Sequence, residues 1–310
     1  MRVVFAGTPQ IAVPALQAII AAGHDVVAVL TQPDAPGKRG KGLVPSPVNL
    51  AARELELNVL TPASASDPST VATITALNAD VAAVVAYGQI LRPALLGATS
   101  HGWVNLHFSV LPTWRGAAPV QRAIMAGDDV TGASTFVIEQ GLDTGPVIGT
   151  LTERVRHDDT AGVLLERLAD LGAGLLVHSL EALVGGYAAP MAQPEDGVSY
   201  AHKLSREDAY VNWELPAHII DRQVRGVTPA PGAWTTLPDG TVAKVGPVRL
   251  RTGPGLPPGQ VAARADEVVV GTGTHPVALT WIAPAGRKAM DARDWWRGAR
   301  LGDAAVLGEA

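Results

Sequence analysis

The feature that most restricts the fold is an alternation of two periodicities. RVVFAG (2–7) reads as a buried strand, VPALQAIIAAG (13–23) as a helix stopped by Gly23, and DVVAVLT (25–31) as a second strand. VNLAARELEL (48–57) is helical and DVAAVVAYG (80–88) is a long apolar strand. WVNLH (103–107), a helix through PVQRAIMAG (119–127) and the strand STFVIEQ (134–140) follow. Parallel neighbours need a crossover of a dozen or more residues, so strand and helix in turn predict βαβ units. The expected fold is α/β, a doubly wound and mostly parallel sheet. The helical run TAGVLLERLADLGAGLLVHSLEALVGG (160–186) closes it.

Beyond that helix the texture changes. YAAPMAQPEDGVSYAHKLS (187–205) is rich in Pro, Gly and polar residues. It is followed by one amphipathic helix, LPAHIIDRQVRGV (215–227), and by short strands between Gly and Pro: 232–250, 268–273 and 277–284. That pattern predicts a small, OB-like β-barrel rather than more parallel sheet. The expected division is an α/β domain over 1–190, a linker over 191–205 and a barrel domain over 206–310.

A chain of 310 residues, 47% apolar and 17% charged, can build two cored domains. No apolar run approaches the twenty or so residues a membrane span needs. The opening MRVVFAGTPQ mimics a secretion signal faintly, but Gly7, Thr8 and Pro9 break it after four apolar residues, so the cytoplasm is the expected compartment. The absence of cysteine removes disulfides, thiol nucleophiles and Cys-ligated zinc. The eight histidines are scattered with no pair at ligand spacing, so no metal is expected. Residues 1–204 hold 12 Lys+Arg against 18 Asp+Glu, and residues 205–310 hold 12 against 11. Nucleic acid would therefore have to be met by local basic patches.

The first βα turn, FAGTPQIAVPAL (5–16), has only Gly7 where a dinucleotide fingerprint needs three spaced glycines. A tight turn is the better reading. WVNLH is different. Residues two apart on a strand share a face, so Trp103, Asn105 and His107 point one way while Val104 and Leu106 pack the other. Ligands of open α/β sheets sit at the carboxyl ends of strands, where this pair falls. An amide and a protonated imidazole together offer an oxyanion several N–H donors, and imidazole also exchanges protons near neutral pH. A buried Asn-His pair satisfying loop carbonyls is the competing reading. GLDTGPVIG (141–149) adds Asp143 between glycines after a strand, hence at the same crevice; a carboxylate there would raise the pKa of His107 and hold its ring. Taken alone, Asp143 reads equally as an Asx-turn residue. Asn, His and Asp without Ser or Cys suggest acyl transfer in which the substrate supplies the nucleophile.

NLHFSVLPTWRGAAPVQRAI (105–124) resembles the signature of the folate-dependent formyltransferases, roughly N-x-H-x-S-L-L-P-x-x-x-G with a later Asp. The likeness extends through FAGTPQIAVPAL, TQPDAPGKRGKGLVPSPV, VVAYGQIL and GLDTG into KLSREDAYVNW and APAGRKAM. It implies that Asn105, His107 and Asp143 are the catalytic trio. The co-substrate it implies is 10-formyltetrahydrofolate, and the acceptor is the amino group of initiator methionyl-tRNA. Asn105 and His107 would then stabilise the tetrahedral oxyanion, with Asp143 orienting His107 and relaying protons. The same resemblance assigns Ser109, Val110, Leu111 and Pro112 to folate contact, and the backbone around Ala86, Tyr87, Gly88 and Ile90 to the wall of the pterin pocket. A monomer is expected.

The tRNA expectation rests on APGKRGKGL (35–43), whose Lys38, Arg39 and Lys41 sit on a loop longer than a βα turn needs. Arg287 and Lys288 in the second domain are further candidates for backbone phosphates. A solvated surface loop with a few charges is the plain alternative. Val110 replaces the first Leu of the family's S-L-L-P, Phe108 stands where a smaller residue is common, and Gln10 and Ile11 also depart from the pattern. VTPAPGAW (227–234) lacks the aromatics usual before and between its prolines. Two other functions stay open on residues alone: formyl transfer to a small amine, and a folate- or nucleotide-binding module with a structural Asn-His-Asp cluster.

Overall fold

The computed structural model describes residues 1–37, 42–302 and 305–308. Its contacts divide the chain into two compact units. The first comprises Met1–Pro119, Val130–Arg154 and Leu165–Ala201; the second comprises Val120–Asp129, Val155–Leu164 and His202–Ala310.

The first unit carries the strands β1 (Arg2–Gly7), β2 (Asp25–Leu30), β3 (Ala35–Pro36), β4 (Leu43–Val44), β5 (Val59–Leu60), β6 (Val81–Val85), β7 (Trp103–His107), β8 (Arg115–Gly116), β9 (Val130–Val137), β10 (Val147–Arg154) and β11 (Tyr200–Ala201). Its main sheet has seven strands in the order β10-β9-β7-β6-β1-β2-β5. From β7 to β5 the neighbours are parallel, while β9 runs antiparallel to β7 and β10 antiparallel to β9. The mostly parallel α/β expectation holds. β6 is buried along its length, as a strand covered on both faces must be.

Proline at the first or second position starts the helices α1 (Val13–Ala21), α2 (Pro47–Glu54), α3 (Pro68–Ala76) and α4 (Pro93–Leu96), where its missing N–H has no helical partner to lose. Ser46 caps α2 by accepting from Asn49 N–H at 3.0 Å. α5 (Pro119–Ala126) falls to the second unit from Val120 onward, and the 24-residue α6 (Ala161–Val184) to the first from Leu165 onward. Gly172 lets α6 sit close to the sheet: a Cβ there would stand 3.0 Å from Leu106.

Three boundaries differ from the sequence reading. The strand expected over 80–88 stops at Val85, because Ala86 turns into the left-handed region at φ 47°. β9 begins four residues earlier than expected, and Gly132 inside it is required by the close passage of Leu151 O on β10. β10 itself is half exposed in alternation and carried no apolar signal. The expected linker over 191–205 is a further correction. Met191 bridges to Val147 and Tyr200–Ala201 pairs parallel with Arg115–Gly116, so its first eleven residues belong to the first unit.

Among the described residues the second unit holds, besides most of α5, the helices α7 (Ala217–Gly226) and α8 (Ala292–Ala299) and eight strands: β12 (Trp234–Thr236), β13 (Val242–Val245), β14 (Val248–Leu250), β15 (Val261–Arg264), β16 (Glu267–Val270), β17 (Val277–Leu279), β18 (Trp281–Pro284) and β19 (Met290–Asp291). They form two four-stranded antiparallel sheets, β12-β13-β18-β19 and β14-β17-β16-β15. One register runs through both, with Val245 opposite Ile282 and Val248 opposite Leu279. A single strand pair therefore bends from one sheet into the other, as small barrels turn their corners. Gly246 sits at the bend, where a Cβ would collide with the Trp281 indole. Trp213, Ile220, Val224, Val245, Val270, Ile282 and Trp295 share one core between the sheets and both helices.

Candidate active site

The crevice of the first unit lies past the carboxyl ends of β1, β6 and β7. Gly7 closes β1, and a Cβ on it would come within 3.0 Å of Phe5, Ala12 and Val85 O. Packing accounts for this glycine, in keeping with a plain turn. On β7, Asn105 is part-exposed and His107 is 6% exposed; Trp103 on the same face is fully buried. The Asn105 amide engages no side-chain partner among the described residues, so its N–H donors are free for a ligand.

His107 Nε2–H donates to Trp114 O at 2.9 Å. Its Nδ1 stands 3.7 Å from Asp143 Oδ2, beyond a hydrogen bond but close enough for strong attraction. Burial lowers the His107 pKa below the ordinary histidine value, against the upward pull of Asp143 and of the Trp114 carbonyl. Asp143 pulls the pKa upward as expected, but desolvation outweighs it and favours the neutral ring at neutral pH. Neutral His107 has one proton, which Trp114 O holds on Nε2, leaving the Nδ1 lone pair uncommitted. Both nitrogens nevertheless face acceptors, so a proton arriving on Nδ1 meets a carboxylate.

Asp143 reaches this place by a route the sequence reading had wrong. β9 is antiparallel to β7, with Val137 opposite Val104, so the loop that follows β9 leaves from the amino end of β7. The loop folds back along the sheet face to bring Asp143 beside His107. Asp143 itself adopts φ 51°, and Gly116 N–H donates to its Oδ2 at 2.8 Å.

The remaining folate-assigned positions separate into two kinds. Ser109, Leu111 and Pro112 are buried and Val110 partly so. Ser109 Oγ donates to Thr113 O at 2.5 Å, while Ser134 Oγ donates to Ser109 O at 2.8 Å and accepts from Leu111 N–H at 3.0 Å. These residues build the loop from inside, and both hydroxyls are spent on it. Ala86 and Gly88 are exposed, both at positive φ, and Ile90 is 85% exposed. The Tyr87 side chain turns into the core, where its hydroxyl has no partner among the described residues and burial pushes its pKa up to about 12. What the 86–88 turn offers a ligand is therefore backbone.

Lys38, Arg39 and Lys41 lie outside the described residues; the flanking β3 and β4 pair as a hairpin, with Gly37 N–H donating to Gly42 O at 2.9 Å. Arg287 and Lys288 are exposed on the turn between β18 and β19 of the second unit. That unit also has a cavity of about 700 Å³. Its four carboxylates (Asp128, Asp129, Asp158, Asp221) balance four guanidiniums (Arg156, Arg222, Arg225, Arg249), so it presents no net charge to an anion. Asp221 and Arg225 are paired at 2.9 Å. Among the described residues no three His, Cys, Asp or Glu side chains are grouped to hold a metal, and no helix is long and apolar enough to cross a membrane.

Sequence reasoning missed Gln193. Its Nε2 donates to Asp143 O and Gly145 O, both at 2.8 Å, and its Oε1 accepts from Arg115 Nε and Nη2 at 3.0 and 2.6 Å. It lies in the stretch read as linker, where nothing local signalled a contact fifty residues away.

An open α/β crevice that gathers a free amide, a buried neutral imidazole and a carboxylate fits a group-transfer enzyme whose nucleophile belongs to the substrate. The formyl transferase model matches residues 1–180, and the formyl transferase C-terminal domain model matches residues 203–300. The chain belongs to the formyl transferase family. It is 54% identical over 301 residues to a methionyl-tRNA formyltransferase of Mycobacteroides abscessus (97% of this chain, 98% of the relative), and 57% identical over 299 residues to one of an Arthrobacter species (96% and 97%). Among solved structures, HypX of Aquifex aeolicus with tetrahydrofolic acid superposes with a TM-score of 0.68 at 16% identity, covering 96% of this chain and 47% of that one. An N-formyltransferase of Helicobacter canadensis, solved with folinic acid and dTDP-3-aminofucose, gives 0.67 at 16% identity, covering 91% and 98%. At that identity these two speak for the fold alone.

Proposed function

We propose that this chain transfers the formyl group of 10-formyltetrahydrofolate to the amino group of initiator methionyl-tRNA, producing formylmethionyl-tRNA and tetrahydrofolate. The observation that carries this reading is the 54–57% identity, spread over both units, to relatives named methionyl-tRNA formyltransferase.

Asn105, His107 and Asp143 form the reacting centre. The amine lone pair attacks the formyl carbon, making the new C–N bond and a tetrahedral oxyanion, toward which Asn105 directs an amide N–H. His107, neutral beforehand, takes the proton that the amine sheds onto Nδ1. The imidazolium so formed lies between Asp143 and Trp114 O, which offset the cost of charging a buried ring. Collapse of the oxyanion breaks the bond to N10 of the folate, and His107 returns the proton there. This sequence uses His107 mainly as a base, with its oxyanion role confined to the protonated form. The exposed backbone of Ala86 and Gly88 and the Ile90 side chain wall the folate side, and Ser109, Val110, Leu111 and Pro112 hold the adjoining loop in shape.

The part of the second unit over residues 206–310 serves in tRNA binding through Arg287 and Lys288, with Lys38, Arg39 and Lys41 on the first. One chain contains the whole reacting trio, so a monomer is the working unit. The acceptor places the reaction in the cytoplasm with translation.

The test is formyl transfer from 10-formyltetrahydrofolate to charged methionyl-tRNA, with wild type and His107→Ala in parallel. Wild-type transfer with a loss of roughly a hundred- to a thousand-fold in the variant is expected. Transfer to a small amine and none to tRNA would replace the acceptor in this reading. Undiminished transfer by His107→Ala would remove the mechanism.

A further inference from the structure

The stretch Trp114-Arg115-Gly116 touches both titratable members of the trio at once. Trp114 O holds His107 Nε2, Gly116 N–H holds Asp143 Oδ2, and between them the Arg115 side chain runs to Gln193. Arg115 is only 9% exposed, and a buried guanidinium needs well-aimed acceptors. Its Nε and Nη2 both donate to one oxygen, Gln193 Oε1.

That contact settles the orientation of the Gln193 amide by chemistry alone. A guanidinium only donates and a carbonyl only accepts, so Oε1 must face Arg115 and the NH₂ must face Asp143 O and Gly145 O. The two amide protons thus clasp the turn at Asp143, whose φ of 51° is costly for a residue with a Cβ. Gly116 N–H anchors the Asp143 carboxylate, and the clasp anchors the backbone that carries it. Register adds a second constraint, since Arg115–Gly116 pairs with Tyr200–Ala201 and Met191 with Val147, fixing the ends of the segment that carries Gln193.

We infer that Gln193, aimed by Arg115, is a positioning residue for the transfer reaction: it holds the Asp143 backbone in the left-handed turn that sets the carboxylate against His107. This rests on the reading of His107 and Asp143 proposed above. Gln193 touches no reacting atom, so its effect runs entirely through the placement of Asp143, and hence through the charge that His107 feels.

The lead variant is Gln193→Glu. A carboxylate keeps Arg115 partnered and the fold intact, but turns acceptors toward two carbonyls and ejects the Asp143 turn. Turnover on methionyl-tRNA should fall roughly tenfold to a hundredfold, as small misplacements at a reacting centre do, with KM for both substrates near wild type. Added to Asp143→Asn, Gln193→Glu should cost little more, because the residue it positions is already disabled. Fully additive losses would mean a general structural role and overturn the inference.

A readout independent of activity separates this inference from the proposed function. The His107 ring is titrated by NMR, its signal assigned by its loss in His107→Asn. Withdrawal of Asp143 removes an upward pull, so the His107 pKa must fall in Gln193→Glu and in the smaller Gln193→Ala. An unchanged His107 titration in a folded variant overturns the inference whether or not the wild type formylates tRNA. A shifted titration in a protein that transfers no formyl group would retain the clasp and discard only the reaction.

Discussion

Two glutamines make the same pair of bonds in the two units and end differently. Gln193 Nε2 donates to Asp143 O and Gly145 O; Gln223 Nε2 donates to Asp208 O and Tyr210 O at 2.9 and 2.8 Å. Each clasps carbonyls two residues apart. In the first unit the remaining oxygen is held by Arg115, whereas Gln223 Oε1 is buried with no partner among the described residues. A clasp without an aiming partner ties a loop down. A clasp with one fixes direction, which matters only where a neighbouring group must be met within a fraction of an ångström.

Backbone strain divides along the same line. Apart from glycine, the left-handed residues of the second unit among those described are Ala265, in the two-residue turn between β15 and β16, and Arg300, at the end of α8. In the first unit Glu56 and Asn78 follow helices, but Ala86, Trp114 and Asp143 all stand in loops of one crevice. Each costs of the order of 1–3 kcal/mol, so the crevice gathers in one place strain that elsewhere falls singly at turns and helix ends.

The sharpest way to break this comparison is to damage the second unit where nothing reacts. Trp213 is 3% exposed, with its Nε1–H on Thr235 Oγ1 at 2.9 Å. Trp213→Ala should lower stability by roughly 3–5 kcal/mol in chemical denaturation, while the folded protein keeps its kcat at saturating methionyl-tRNA. Next in size is Asp143→Asn, which should cut turnover about a hundredfold, since the imidazolium loses its counter-charge. His107 must be neutral to accept the amine proton, so wild-type kcat falls on acidification through its lowered pKa. Without the carboxylate that pKa drops further, and the acidic limb of the profile moves to lower pH. A limb that moves upward would reverse the assigned roles.

Gln223→Ala comes third. It leaves two carbonyls without their donor, for about 1–3 kcal/mol of stability. Its kcat and acidic limb should match wild type, in contrast to Gln193→Glu, and a shifted limb would erase the distinction between the clasps. Smallest is Tyr87→Phe. It removes a buried hydroxyl with no partner among the described residues and should raise stability by about 1 kcal/mol in a thermal melt. A loss of folate affinity there would instead assign the hydroxyl to the ligand.

Much of the molecule was legible along the chain. Apolar runs of strand length between helical segments specify a parallel α/β layer, because period and burial are local properties of the sequence. The period of two on WVNLH placed Asn105 and His107 on one face for the same reason. The change to short strands between Gly and Pro marked the second unit. Tertiary structure alone decided the direction of β9, since strand pairing depends on a neighbour and not on the strand's own letters. It therefore decided how Asp143 reaches His107. It also decided the sign of the His107 shift, because desolvation sums over everything packed around the ring. Gln193 became visible only when residues 191–201 folded onto the sheet, for a hydrogen bond across fifty residues has no period to betray it.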